Sequence, residues 1–201
     1  QLSMLVFSDK LVNVKLFNNG SIQMTGIKND RMSYEVVDIL IQKFTDIYNT
    51  DIKILDIDTV LINSDFDYGY CINNYNLHEL LESANYYSSY EPCSYPGVNI
   101  KYYHNLKDKD NQGICQCAHD CIGKGKGDDC KRITIAVFKS GKIIITGGKS
   151  IEQIYIARDF IKNFIYKNKE DVLLDYVDYI KMIQKNYRIY RNNKLLTEST
   201  Y

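Results

Sequence analysis

The sequence predicts an α+β fold made of one unit used twice, and three observations carry that expectation. The stretches "FNNGSIQMTGIKN" (residues 17–29) and "FKSGKIIITGGKS" (residues 138–150) share one phrase. Both read aromatic, two polar residues, Gly, polar, a short apolar run, Thr-Gly, and Lys two residues later. Before each copy runs an alternating segment, "KLVNVKL" or "RITIAV", as a half-buried strand requires. After each copy, apolar residues recur with the period of a helix. The unit is therefore strand, turn, strand, helix, and a repeated unit of this kind packs against its twin.

Taken in order, the first copy has a strand ending at Leu16, a tight turn at Gly20 and a second strand, "SIQMTG". Asn29 then caps a helix whose buried stripe is Val36, Ile39, Leu40, Phe44 and Ile47. Between the copies, "KILDIDTVLI" (53–62) reads as a strand and "NLHELLESA" (76–84) as a helix, and Pro96-Gly97 opens another strand. Residues 105–131, polar and rich in Gly and Cys, read as an inserted loop. The second copy follows, with its turn at Gly141. Ser150 with Gln153 forms a capping box there, ahead of a stripe of Ile154, Ala157, Ile161, Phe164 and Ile165. From Asp171 to about Tyr190, the spacing of Val172, Tyr176, Val177, Ile180, Ile183 and Tyr187 predicts one more helix. This divides the chain into residues 1–50, the later part of a first repeat; 51–168, a second repeat carrying the loop; and 169–201, a helical extension.

Composition sets the boundaries. The 201 residues, 45% apolar and 25% charged, suit a globular chain with a sizeable core. No apolar run reaches the roughly 18 residues of a membrane span, and the first residues lack the zones of a signal peptide. The formal net charge is zero, where a nucleic-acid binder normally shows a basic surplus. The total conceals a division: residues 51–92 hold eight acids and one Lys, while residues 131–169 hold nine basic residues and two acids.

The phrase at 137–150 resembles the "IF-x-SGK-[IV]-x-x-TG-[AG]-KS" phrase found in each repeat of the TATA-box-binding protein family. "SSYEPCSYPGVNIKY" (88–102) is similar to that family's "SSYEPELFPGLIYRM" segment. The resemblance covers roughly residues 1–168, apart from the loop. The loop and the Asn-, Lys- and Tyr-rich composition look most like the divergent members found in large nucleocytoplasmic DNA viruses. The resemblance implies a saddle with a pseudo-two-fold repeat. Its curved antiparallel sheet would present a concave face to the DNA minor groove and carry helices on the convex face. It also implies apolar wedges that kink the duplex.

On this resemblance Phe17 and Phe138 match wedges, and Tyr95 replaces a third; the fourth would fall just before Gln1. The strand and helix that open the second repeat would likewise have their counterparts upstream of Gln1. Gln23 and Thr25, with Ile144 and Thr146, would share the groove-facing side, because strand side chains alternate. Lys28, Lys101, Lys142 and Lys149 match phosphate-contacting positions; singly each is an ordinary solvated charge, and the set carries the reading.

Departures from the family are also visible. Leu61 stands where the family has a groove-reading Asn, with Asn63 two residues along, and Asp65 on that face would repel phosphates. Ser21 replaces a basic residue. Glu91 lies in the family's partner-docking loop, implying a factor-IIB-like protein and the RNA polymerase machinery as partners of a complex on AT-rich double-stranded promoter DNA. The implied location is intracellular, in the nucleus or a viral factory, with packaging in the virion.

Cys115, Cys117, Cys121 and Cys130 form C-x-C-x3-C-x8-C, with His119 inside. Four thiols in a loop without a core of its own fit a structural Zn²⁺, and free loop thiols are the plainer reading. Cys71 and Cys93 read as small apolar fillers. No nucleophile–base pair or paired-carboxylate motif stands out, and "GKGKG" lacks the context of a P-loop, so no enzyme is expected. Two rival readings remain. One is a protein-interaction scaffold that kept the saddle and lost DNA binding. The other is a nucleic-acid module centred on the zinc loop, which deleting residues 108–130 would abolish.

Overall fold

The structure, a computed structural model, describes residues 1–107, 111–117, 121–124, 130–175, 180 and 184. The chain divides into two compact units, Gln1–Asp58 and Thr59–Tyr201.

In the first unit, β1 (Leu2–Phe7), β2 (Leu11–Leu16) and β3 (Ile22–Thr25) form an antiparallel sheet in that order, followed by α1 (Asp30–Tyr48). Alternation explains the burial. Val6, Val12 and Val14 point one way and meet Met32, Val36 and Leu40 of α1, with Met4, Leu16 and Met24 half-buried around them. The Asn29 side chain accepts from the Met32 amide at 2.9 Å and so satisfies one orphan donor of the helix. Ile47 departs from the expected stripe. It is 69% exposed, in the last turn and past Phe44, the final α1 residue in that core.

The expected strand at 53–62 is also corrected. Residues 51–61 have no regular structure, and Leu55 is exposed. An apolar–acidic alternation makes no strand unless a partner completes its ladder, and pairing begins only at Ile62.

The second unit contains β4 (Ile62–Asp67), β5 (Cys71–Ile72), α2 (Asn74–Ser83), β6 (Ser88–Ser89) and β7 (Gly97–His104). It continues through β8 (Lys131–Phe138), β9 (Lys142–Gly148), α3 (Ile151–Lys167), α4 (Lys169–Val172) and β10 (Leu173–Leu174). Its main sheet is antiparallel in the order β4-β9-β8-β7-β6. Ile100, Tyr102, Ile133, Ile135, Ile143 and Ile145 cover one face, against Leu77 and Leu81 of α2 and Ile154, Ala157, Ile161 and Ile165 of α3. Burial pushes the Tyr102 phenol up to about 12, so it stays neutral in this core.

The duplication is visible in the register. Leu16 pairs with Leu2 and Ile22 in the first unit, as Val137 pairs with Val98 and Ile143 in the second. Each hairpin closes with a Gly amide donating to the aromatic carbonyl three residues earlier, Gly20 to Phe17 at 3.0 Å and Gly141 to Phe138 at 2.9 Å. Both glycines have positive φ, +83° and +88°, which side chains disfavour. At α3 the Ser150 hydroxyl accepts from the Gln153 amide, as expected, but the Gln153 side-chain oxygen Oε1 accepts from the Lys149 amide, one residue before the cap.

The long helix expected to start at Asp171 is corrected at its beginning. After α3 the chain makes the single turn α4, buries Val172, and pairs Leu173 with Ile72 in a small β5–β10 ladder. Ile180 and Gln184 are helical, whereas Tyr176, Val177, Ile183 and Tyr187 lie outside the described residues. Among the described residues no helix is long and apolar enough to cross a membrane.

Candidate nucleic-acid interface

A sheet whose one face is covered by helices leaves its other face to do something else. In the second unit the register sets that face out in rows. Asn63 of β4 opposes Thr146 of β9, which opposes Thr134 of β8, which opposes Lys101 of β7. The next row is Asp65, Ile144, Ala136 and Asn99, followed by the pair of Asp67 and Lys142. Strand alternation turns all of these away from the helix-side isoleucines between them. Thr146 donates its hydroxyl to the Asn63 side-chain oxygen at 2.5 Å. Lys142 and Asp67 form an exposed pair at 3.5 Å, which contributes little to stability.

At the end of β8, Phe138 sits beside Tyr95, ring centroids 5.7 Å apart and tilted by 60°. Both rings lie over Gly97: a Cβ there would come within 3.1 Å of Tyr95 and 3.2 Å of Phe138. Gly97 is thus the floor on which the two rings rest. Tyr95 is held by a turn in which the Glu91 carbonyl accepts from the amides of Ser94 (2.9 Å) and Tyr95 (2.8 Å). Phe138 is half-buried and Tyr95 exposed, and the Glu91 side chain is exposed in the same turn. Lys101 is held below its ordinary pKa, first by burial and then by the Arg132 guanidinium. An anion here would relieve that repulsion.

The first unit repeats the arrangement. Phe17 directly follows β2 and is 37% exposed; Gln23 and Thr25 stand on the outer side of β3, Gln23 opposite Lys15. Lys28 and Lys149 occupy the corresponding exposed loops just ahead of the caps of α1 and α3. Leu61 lies outside β4 and is exposed, so Asn63 is the side-chain amide that β4 brings to this face.

Sequence reasoning missed part of the face. Asn99, Arg132 and Thr134 follow from Lys101 and Phe138 by steps of two, a signal that was available. Leu5, Phe7 and Leu11 also stand exposed, on the side of β1 and β2 away from α1. That side was hidden because "LSMLVF" is apolar at both parities.

The loop brings its four cysteines together, every sulfur within 4.8 Å of the others. Cys130 is buried, with its sulfur 3.2 Å from Cys121, 3.5 Å from Cys115 and 3.8 Å from Cys117. Hydrogen bonding with Cys130 lowers the Cys121 thiol to about 7, while burial pushes Cys130 up. His119 lies outside the described residues. Cys71 is half-buried in β5, but Cys93 is exposed in the turn before Tyr95 and fills nothing.

Comparison with known proteins gives this geometry a context. Residues 69–168 match the family described as transcription factor TFIID, or TATA-binding protein. A "TATA-box-binding protein-like" protein of Acanthamoeba polyphaga mimivirus is 30% identical over 173 residues, 75% of this chain and 41% of that protein. The chain thus spans less than half the length of that relative. The structure is similar to that of Methanococcus jannaschii TBP, with a TM-score of 0.54 at 22% identity, covering 78% of this chain and 73% of the other. At that identity the likeness speaks to the fold alone.

Proposed function

Because this chain belongs to the TATA-box-binding protein family, through residues 69–168, we propose that it is a transcription initiation factor that binds and bends AT-rich double-stranded promoter DNA. The outward face of the sheet is the surface that enters the minor groove. The observation that carries the reading is the Tyr95–Phe138 pair, braced on Gly97 at the end of a face that also bears Lys101, Lys142 and Thr146. The minor groove distinguishes A·T from G·C by few polar groups, so a broad sheet reads it by fit and by ease of deformation. Aromatic rings at the corner of the sheet act as wedges, Phe17 serving the first unit. Lysines then hold the phosphates.

The exposed Glu91 turn is the docking point for a factor-IIB-like protein, which brings in the polymerase machinery. The protein acts where the genome is transcribed, in the nucleus or a cytoplasmic viral factory, and packaging in the virion belongs to the same reading. No catalysis is part of it. A structural Zn²⁺ in the four-cysteine loop supports the sheet and makes no groove contact.

Asp65 favours a second reading, a scaffold that binds proteins only, since its carboxylate shares the outward face and opposes phosphate. Fluorescence anisotropy with AT-rich and GC-rich duplexes separates the two. Tighter binding to the AT-rich duplex, reduced together by Phe17→Ala and Phe138→Ala, is expected of the DNA factor. Equal and feeble binding to both duplexes contradicts it.

A further inference from the structure

The β7–β8 connection spans residues 105–130, whereas its counterpart between β1 and β2 is the turn Ser8–Lys10. Such a loop needs something to hold it. Its Ile114 and Ile122 are exposed, so among its described residues it has no apolar core, and small segments of this kind depend on metals or crosslinks.

The loop is docked on the sheet at two places. Tyr103 of β7 and Gly113 exchange both backbone hydrogen bonds, at 3.1 and 2.9 Å. The Arg132 amide of β8 donates to the Gly123 carbonyl at 2.9 Å. Approach at Gly123 is close enough that a Cβ would overlap the Arg132 side chain. The cysteines are placed around these docks. Cys115 and Cys117 follow Gly113, Cys121 precedes Gly123, and Cys130 is the residue before β8.

Zinc–thiolate bonds of about 2.3 Å in a tetrahedron put sulfurs about 3.8 Å apart. The contacts from Cys130, 3.2 to 3.8 Å, lie at or somewhat inside that edge, and they are far longer than the roughly 2.05 Å of a disulfide. Gly123 also donates its amide to the Cys121 sulfur at 3.3 Å, the outer hydrogen bond that orients a ligand. Four thiolates fill a tetrahedral ion completely, leaving no position for water or substrate.

Resting on the Zn²⁺ assignment above, we infer that the closed four-thiolate centre is a weld between β7 and β8. One ion joins the loop arm docked on Tyr103, the arm docked on Arg132, and Cys130, the residue that leads into β8. It thereby fixes the end of the sheet that carries Lys101 and Arg132.

The test uses the whole chain purified under reducing conditions. Metal analysis is expected to find about one zinc per chain, kept in Cys93→Ser and lost in Cys130→Ser. Cobalt exchanged into the wild-type chain should show thiolate-to-metal charge-transfer absorption, a readout independent of whether any variant folds. Hydrogen exchange is then compared before and after chelation. Protection at the Tyr103 and Arg132 amides should fall, while the Tyr68 amide, bonded to the Gly141 carbonyl at the other end of the strands, keeps its protection. A chain without zinc and without the cobalt band overturns the metal. Bound zinc with unchanged protection at Tyr103 and Arg132 overturns the weld alone.

Discussion

Phe138 and Ile135 lie three residues apart on β8 and face opposite sides of the sheet, so the same truncation should have opposite consequences. Ile135 is fully buried among the helix-side isoleucines. Replacing such a residue with Ala removes buried apolar surface and leaves a cavity, so Ile135→Ala should cost about 2–5 kcal/mol of unfolding free energy by denaturant titration. Phe138 is half-buried on the outward face. Phe138→Ala should change stability less than Ile135→Ala and weaken DNA binding about tenfold or more, the effect of losing about 1.4 kcal/mol.

His104 offers a test by pH. Burial holds its pKa below the ordinary value, more strongly than Glu152 and Gln112 raise it. The unfolded chain therefore takes up the proton first as pH falls. Its contribution to stability is present above about pH 6.5 and is lost below it, until the folded pKa is reached. The thermal midpoint should fall between pH 6.5 and 5, and fall less in His104→Gln.

The elements show which parts of the fold the sequence discloses. Both hairpins and their helices were legible because alternation, a Gly turn, a cap and a helical stripe agree with one another. β1 escaped because its outer residues Leu5 and Phe7 are as apolar as its inner ones, and alternation is the signal of a strand that is polar on one side. Residues 53–61 misled for the opposite reason, since their pattern is a strand's and their ladder is absent. β5 and β10 are two-residue strands created by tertiary pairing, which no local signal announces. Of the candidate site, the residues read as wedges and phosphate-binding lysines came from the repeated phrase and, for Tyr95 and Lys101, from the segment 88–102, whereas Asn99, Arg132 and Thr134 needed the register. The caps can be tested directly. Ser150→Ala removes the acceptor of the Gln153 amide and Asn29→Ala that of the Met32 amide. Each should cost about 1 kcal/mol, read as a lowered denaturation midpoint with an unchanged slope.

At the scale of the whole molecule, a net charge of zero coexists with an acidic segment at 51–92 and a basic one at 131–169. The acidic part supplies β4, which ends the main sheet among the described residues. Asp65 and Asp67 on such a strand discourage edge-to-edge association, and Asp67 is in addition paired with Lys142. For a DNA factor the unpaired cost falls on Asp65, so Asp65→Asn should raise affinity for an AT-rich duplex, most at low salt, where charges are least screened. Plotted against the logarithm of salt concentration, log affinity should decline linearly, and Lys142→Ala should make the slope shallower by about 1.

Whether the sheet's outward face seats in a minor groove and bends the duplex by wedging can be read from a distance. A short AT-rich duplex carrying a donor and an acceptor at its two ends reports its end-to-end separation by energy transfer. Adding this protein should bring the ends closer, and Phe138→Ala combined with Tyr95→Ala should leave them near the separation of free DNA. Binding that leaves the ends where they were, or shortening that survives the double substitution, contradicts the account.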